Sequence, residues 1–300
     1  MADTPIGYLK VGFRKRAIHT DLVRPSLVRG LTEVPRMAGE VGEYAAFRRV
    51  LRKARHGDGQ HVLVLPGLMA GDPTTALLRN YLASLGYHPH GWGVGRNIGP
   101  TRQIVDAMRV KVEELTEVHG PISIIGWSLG GLYARQLGRA YPEQVRQVIT
   151  LASPFRLIHR EDTLATLVFD RYRHLHVGAD ELDLPEQEHL RDPMPIPTTA
   201  IYSRSDGIVP WQACLNELYG TAENIEVKAS HIGMGHHPAA LWAIADRLAL
   251  PLGTQNWRPF QTPHSLRRWY PTPLNWPLDE EFLKDLPPDG ESEVSAVATG

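Results

Sequence analysis

The sequence predicts an α/β fold: a mostly parallel sheet with helices on both faces and an inserted cap. Three observations carry this. From His61 onward, short apolar runs alternate with helical stretches, the rhythm of a parallel sheet covered on both sides. Several helical stretches open with start signals, Asp72-Pro73 and His237-Pro238 among them, because proline is tolerated only where its missing N–H costs nothing. Finally, 300 residues with 42% hydrophobic and 22% charged side chains can bury one large core.

Taken in order, residues 1–60 form an N-terminal extension, with twelve Lys/Arg against six Asp/Glu. Within it, Glu43 to Arg55 places Phe47, Val50, Leu51 and Ala54 at i, i+3, i+4 and i+7. That spacing predicts an amphipathic helix docked on the main domain, with a membrane-surface or partner helix as the other reading. Residues 61–250 form the core. His61–Leu65, Tyr87–Val94, Ile122–Trp127, Val145–Leu151, Thr198–Ser203 and Ile225–Ala229 read as strands. Thr74–Leu85, Thr101–His119, Leu129–Tyr141, Trp211–Tyr219 and Pro238–Leu250 read as helices. The interval 155–197 is too long for a simple connection and reads as a cap or lid. Residues 251–300 form a C-terminal extension, its Trp257–Trp276 part expected on the domain surface and Pro287–Gly300 disordered in composition.

Composition narrows the function. A formal net charge of −1 offers no global field to attract nucleic acid or an anionic membrane. Cys214 is the single cysteine, and neither CxxC nor a Cys/His zinc spacing occurs, so neither a metal nor a cofactor is expected. Lys10, Arg14, Lys15 and Arg16 precede no apolar run of signal-peptide type, and no stretch approaches the length of a membrane span. The expectation is a cytoplasmic protein without stable membrane insertion.

The chemistry concentrates in Ile122-Ser-Ile-Ile-Gly-Trp-Ser-Leu-Gly-Gly131, where Gly126, Ser128 and Gly130 make a GxSxG. A bare GxSxG arises by chance about 0.1 times in a chain this long. Here a β-branched strand precedes it and Leu132-Tyr-Ala-Arg-Gln-Leu137 continues as a helix, the context a strained nucleophile turn requires. A serine hydroxyl is a weak nucleophile and needs a base, which in turn needs an orienting acid. Arg204-Ser-Asp-Gly-Ile-Val-Pro210 puts Asp206 after a later strand, and Ser230-His-Ile-Gly-Met-Gly-His236 puts His231 after the next. His236 and His237 compete with His231, but His237 precedes Pro238 and reads as a helix N-cap. An oxyanion hole would use the backbone N–H of Leu129 and, from Leu65-Pro-Gly-Leu-Met-Ala-Gly71, that of Leu68, with Met69 as the neighbouring alternative.

Together these four segments resemble the α/β-hydrolase superfamily, especially its bacterial lipase- and esterase-like members, over roughly residues 61–250. The resemblance implies an α/β-hydrolase fold and a Ser128–His231–Asp206 triad performing cofactor-free acyl transfer to water. Pro66 stands where many esterases carry histidine, and no Gly-Gly-Gly run is present. The expected function is hydrolysis of small-molecule or lipid-like carboxylic esters with apolar acyl or alkyl groups. Acyltransfer or thioester cleavage would use the same residues, and a non-catalytic binding protein of this fold is the reading from another class.

Overall fold

The computed structural model describes residues 22–156, 163, 165–177, 193–218, 220–251 and 257–271. Six strands, β1 (His61–Leu65), β2 (His88–Gly91), β3 (Ile122–Trp127), β4 (Val145–Leu151), β5 (Thr198–Tyr202) and β6 (Ala222–Glu226), form one sheet in the order β2-β1-β3-β4-β5-β6. Every pairing is parallel. The described helices are α1 (Leu27–Leu51), α2 (Asp72–Ser84), α3 (Arg102–His119), α4 (Leu129–Ala140), α5 (Thr166–Arg171) and α6 (Pro238–Leu248).

Side-chain alternation along the strands splits the core in two. Val62 and Val64 of β1, with Ile125 and Trp127 of β3, face a layer built from α2, α6 and the end of α1. Leu63, Leu65, Ile122 and Ile124 face the opposite layer, built from α3 and α4. A strand covered on both sides must be apolar at consecutive positions, which is why these runs are legible without a period of two.

Several elements differ from expectation, among them β2, which ends at Gly91 rather than Val94. The N-terminal helix begins at Leu27, capped by the Ser26 side chain, rather than near Glu43. Its first half was hidden because Glu33 and Glu40 point inward while Leu27, Val28, Leu31 and Val34 are exposed, the reverse of the usual amphipathic pattern. Strand β6 starts three residues before the expected Ile225, since its buried Glu223 and Glu226 are paired with Arg247 and Arg204 and conceal the strand from a hydropathy reading. Within the expected helix Trp211–Tyr219, the described residues 211–218 form no α-helix: Trp211–Cys214 turns as a 3-10 helix. Asn216 and Asn224 then exchange hydrogen bonds, Asn224 Oδ1 accepting from Asn216 N at 2.7 Å and Asn216 O accepting from Asn224 Nδ2 at 2.9 Å, which holds the chain extended beside β6.

The C-terminal segment also corrects the surface placement of the Trp-containing stretch. Phe260, Leu266, Trp269 and Tyr270 are buried in the α1/α6 layer, and Lys228 N donates to Trp269 O at 2.8 Å. Trp276 and Pro287–Gly300 lie outside the described residues, as does most of the expected cap. Within 155–197, α5 and a 3-10 turn at Arg173–Leu175 are described, and His176 makes an isolated bridge to Thr101. Among the described residues, no helix is long and apolar enough to cross a membrane.

Candidate active site

From β1 the chain steps to β2 on one side and then to β3 on the other. The strand order therefore reverses between β1 and β3, where open α/β sheets form a crevice at the carboxyl ends of their strands. The loop after β1 and the turn after β3 both open into it, with Leu65 in register with Gly126.

Ser128 occupies the turn between β3 and α4 with φ 52° and ψ −121°, a conformation unfavourable to any residue with a Cβ. Surrounding contacts hold it there. Ser128 N donates to Leu151 O at 2.8 Å, and Ser153 Oγ donates to Ser128 O at 2.6 Å. A Cβ at 126 would overlap the backbone of Gly130 and Gly131, and one at 130 would overlap the carbonyls of Leu65 and Pro66. The glycines flanking Ser128 are thus required by the close approach of α4 to β1 and β3. Being the N-cap of α4, Ser128 also lies at the positive end of the helix dipole.

Asp206 and His231 arrive from the loops after β5 and β6. Asp206 is buried, and its Oδ1 accepts from Ile208 N at 2.7 Å and Val209 N at 2.9 Å. This leaves Oδ2 facing His231 Nδ1 at 2.7 Å, while His231 Nε2 lies 3.0 Å from Ser128 Oγ. The three residues singled out in the sequence are therefore joined in one hydrogen-bonded line. Burial is the largest influence on the His231 imidazole and pushes its pKa down. The charge and hydrogen bond of Asp206, with the charge of Glu33, outweigh it and leave the group above its ordinary 6.5.

The two competing histidines stand elsewhere. His237 caps α6, its Nδ1 accepting from Ala239 N, and burial lowers its pKa to about 3. His236 is likewise lowered by burial. Among the described residues, no group of three or more His, Cys, Asp or Glu is arranged to hold a metal ion.

Of the oxyanion-hole candidates, Met69 has its N–H engaged, donating to Asn97 O at 2.6 Å. The Leu68 N–H has no acceptor among the described residues, and that of Leu129, at the first turn of α4, has none within the helix by position. Two residues that sequence reasoning passed over support this geometry. Asn97, fully buried, donates from Nδ2 to Pro66 O at 2.9 Å and from its own N to Ala70 O at 2.8 Å, so it braces the loop after β1 at both ends. Trp127 donates from Nε1 to His231 O at 3.1 Å, tying the serine strand to the histidine loop. Trp127 had a signal, its place inside the GxSxG; Asn97 had none, lying 31 residues from the carbonyl it holds.

No family model matches the chain. Among curated proteins, an alignment 199 positions long and 28% identical relates 49% of this chain to 76% of the pimeloyl-[acyl-carrier protein] methyl ester esterase of Klebsiella pneumoniae (strain 342). A stretch of 38 residues, 13% of this chain, is 55% identical to the protein of the same name from Shewanella woodyi (strain ATCC 51908 / MS32), spanning only 15% of its length. Among solved structures, a metagenome-derived lipolytic enzyme aligns with a TM-score of 0.46 at 16% identity, over 65% of this chain and 93% of that one.

Proposed function

We propose that this chain is a serine hydrolase of the α/β-hydrolase superfamily, cleaving carboxylic esters of apolar acyl or alkyl groups. The observation that carries this reading is the unbroken line Asp206 Oδ2–His231 Nδ1 and His231 Nε2–Ser128 Oγ. The curated relative's name, a methyl ester esterase, supports ester cleavage as the reaction class. Leu68, Met69 and Leu129, half-buried beside the serine turn, support an apolar acyl group.

In this mechanism His231 Nε2 takes the proton of Ser128 as Oγ attacks the ester carbonyl. Asp206 holds the imidazole in the tautomer with Nδ1 protonated and stabilises the imidazolium that forms. The tetrahedral oxyanion is received by the N–H groups of Leu68 and Leu129, aided by the α4 dipole. His231 then protonates the departing alcohol, leaving Ser128 acylated. Water attacks the acyl carbonyl, gives its proton to His231, and the acid leaves as the proton returns to Ser128.

The test is hydrolysis of p-nitrophenyl esters from acetate to palmitate by the wild type and by Ser128→Ala. Wild-type turnover that falls by roughly 10⁴- to 10⁶-fold in the variant is expected, the range seen when a triad member is removed. Inertness of the wild type across the series would sink ester hydrolysis. Fluorophosphonate labelling of Ser128 would then separate an acyltransferase from a non-catalytic protein.

A further inference from the structure

Glu33 and Glu40 lie one above the other on the inward face of α1, 1% and 7% exposed. A buried carboxylate is costly unless hydrogen bonds replace its water, and both are well supplied. Glu33 Oε1 accepts from Gly207 N at 2.8 Å, and its Oε2 accepts from Ile232 N at 2.9 Å. These are the N–H groups directly after Asp206 and directly after His231, so one carboxylate bridges both loops. Glu40 Oε1 accepts from Ser230 N at 2.6 Å and its Oε2 from the Ser230 hydroxyl at 2.5 Å. Ser230 directly precedes His231, and its Oγ in turn accepts from Gly233 N at 2.9 Å. Arg36, between the two glutamates, donates to Ser205 O at 2.7 Å and Ser205 Oγ at 3.0 Å.

The loops are shaped to receive the helix. A Cβ at 207 would press on Arg29 O and Glu33 Oε1, and one at 233 would overlap Glu40 Oε2. Stability alone does not ask for this arrangement, since apolar residues packed in place of buried charges are often equally or more stabilising. Apolar residues are at hand on the same helix, yet they face outward: Leu27 is 72% and Leu31 82% exposed.

On this basis we infer that Glu33 and Glu40 are positioning residues, clamping the acid loop and the histidine loop in the register that lets Asp206 meet His231 and His231 meet Ser128. The inference rests on the proposed triad and adds to it an element outside the α/β core. Neither carboxylate touches the reacting atoms; each acts through backbone N–H groups adjoining them. Charged groups packed about His231 are Asp206 from the loop after β5 and Glu33, Arg36 and Glu40 from α1, with Glu43 of α1 3.8 Å from the neighbouring His237. Glu33 supports the protonated imidazole, so removing its charge favours the neutral form.

The experiment compares wild type, Glu33→Gln and Glu40→Ala by p-nitrophenyl ester kinetics and by NMR titration of the His231 ring protons, with circular dichroism to establish folding. Glutamine at 33 keeps the volume but presents an amide N–H to one of two N–H donors, so one loop is released. For Glu33→Gln, kcat is expected to fall about 10- to 100-fold, the scale of a sub-ångström to 1 Å misplacement, with KM nearly unchanged. The acidic limb of kcat/KM and the His231 titration are both expected at lower pH, a shift that a purely structural role would not produce. Glu40→Ala is expected to lower kcat and broaden the Nδ1 proton signal of His231 while the fold is kept. Wild-type kcat with an unmoved titration in folded Glu33→Gln would overturn the clamp. Because the NMR titration needs no turnover, a wild type that hydrolyses no ester but shows the Glu33-dependent His231 shift would overturn the ester reading and keep the clamp.

Discussion

At the residue scale, Asp206 divides its work between its two oxygens. Oδ1 is committed to the N–H groups of Ile208 and Val209, so in Asp206→Asn the side-chain oxygen must stay there and the amide N–H₂ must face His231 Nδ1. That forces the imidazole proton onto Nε2, which can no longer accept from Ser128. The expected outcome is a fall in kcat of about 10⁴-fold, the cost of the wrong tautomer. In the proposed mechanism His231 must be neutral to act as base, and its pKa is raised above the ordinary 6.5. Activity is therefore expected to be lost as pH falls through a value above 6.5, so on a descending scale the loss comes earlier than for an isolated histidine. A pH profile of kcat/KM reads both effects, and a wild-type limb below 6.5 would contradict the Asp206 and Glu33 contributions.

At the element scale, α6 shows how a helix can be buried on every side. Ala239, Ala240, Ala243 and Ala245 have no exposed surface, which lets the helix pass between the sheet, α1, α2 and the 257–271 segment. Its start was legible from His237-Pro238, because capping is a local interaction. Enlarging it should force neighbours off their rotamers. Ala243→Leu is expected to destabilise the protein by about 1–3 kcal/mol, the usual range for overpacking. Urea unfolding measures this, and an unchanged midpoint would show a void the structure does not display. The helix expected at Trp211–Tyr219 failed for a reason of the opposite kind: its propensity was overruled by the Asn216–Asn224 pair, a contact between segments.

At the scale of the whole molecule, a buried ionic network stitches the last described segment to the sheet. Arg247 donates to Glu223 Oε1 and to Asp246 Oδ2 and to Arg258 O. Arg258 and Arg55 also reach Asp246, at 2.9 and 3.1 Å, and Glu223 Oε2 accepts from Phe260 N at 3.0 Å. Glu223→Gln leaves the Arg247 charge under-compensated, and breaking a buried pair costs about 3–5 kcal/mol. A lowered thermal midpoint with unchanged KM at permissive temperature is the expected result. The network lies at the end of the sheet away from Ser128, so a large change in KM would mean that the C-terminal segment reaches the site.

Fold class, the order of the candidate site residues along the chain, and the three side chains worth bringing together could be read from the sequence alone. This was possible because strands buried on both faces, a serine between glycines and a proline at a helix start are all written within a few consecutive residues. It took the folded chain to show that Met69 spends its N–H on Asn97 while Leu68 has no acceptor among the described residues, that Asn97 braces its loop, and that α1 turns Glu33 and Glu40 inward. Those choices depend on contacts between residues as far apart as Glu33 and Ile232, 199 positions along the chain. A contact of that span leaves no local period, and a buried glutamate looks in sequence like any solvated one.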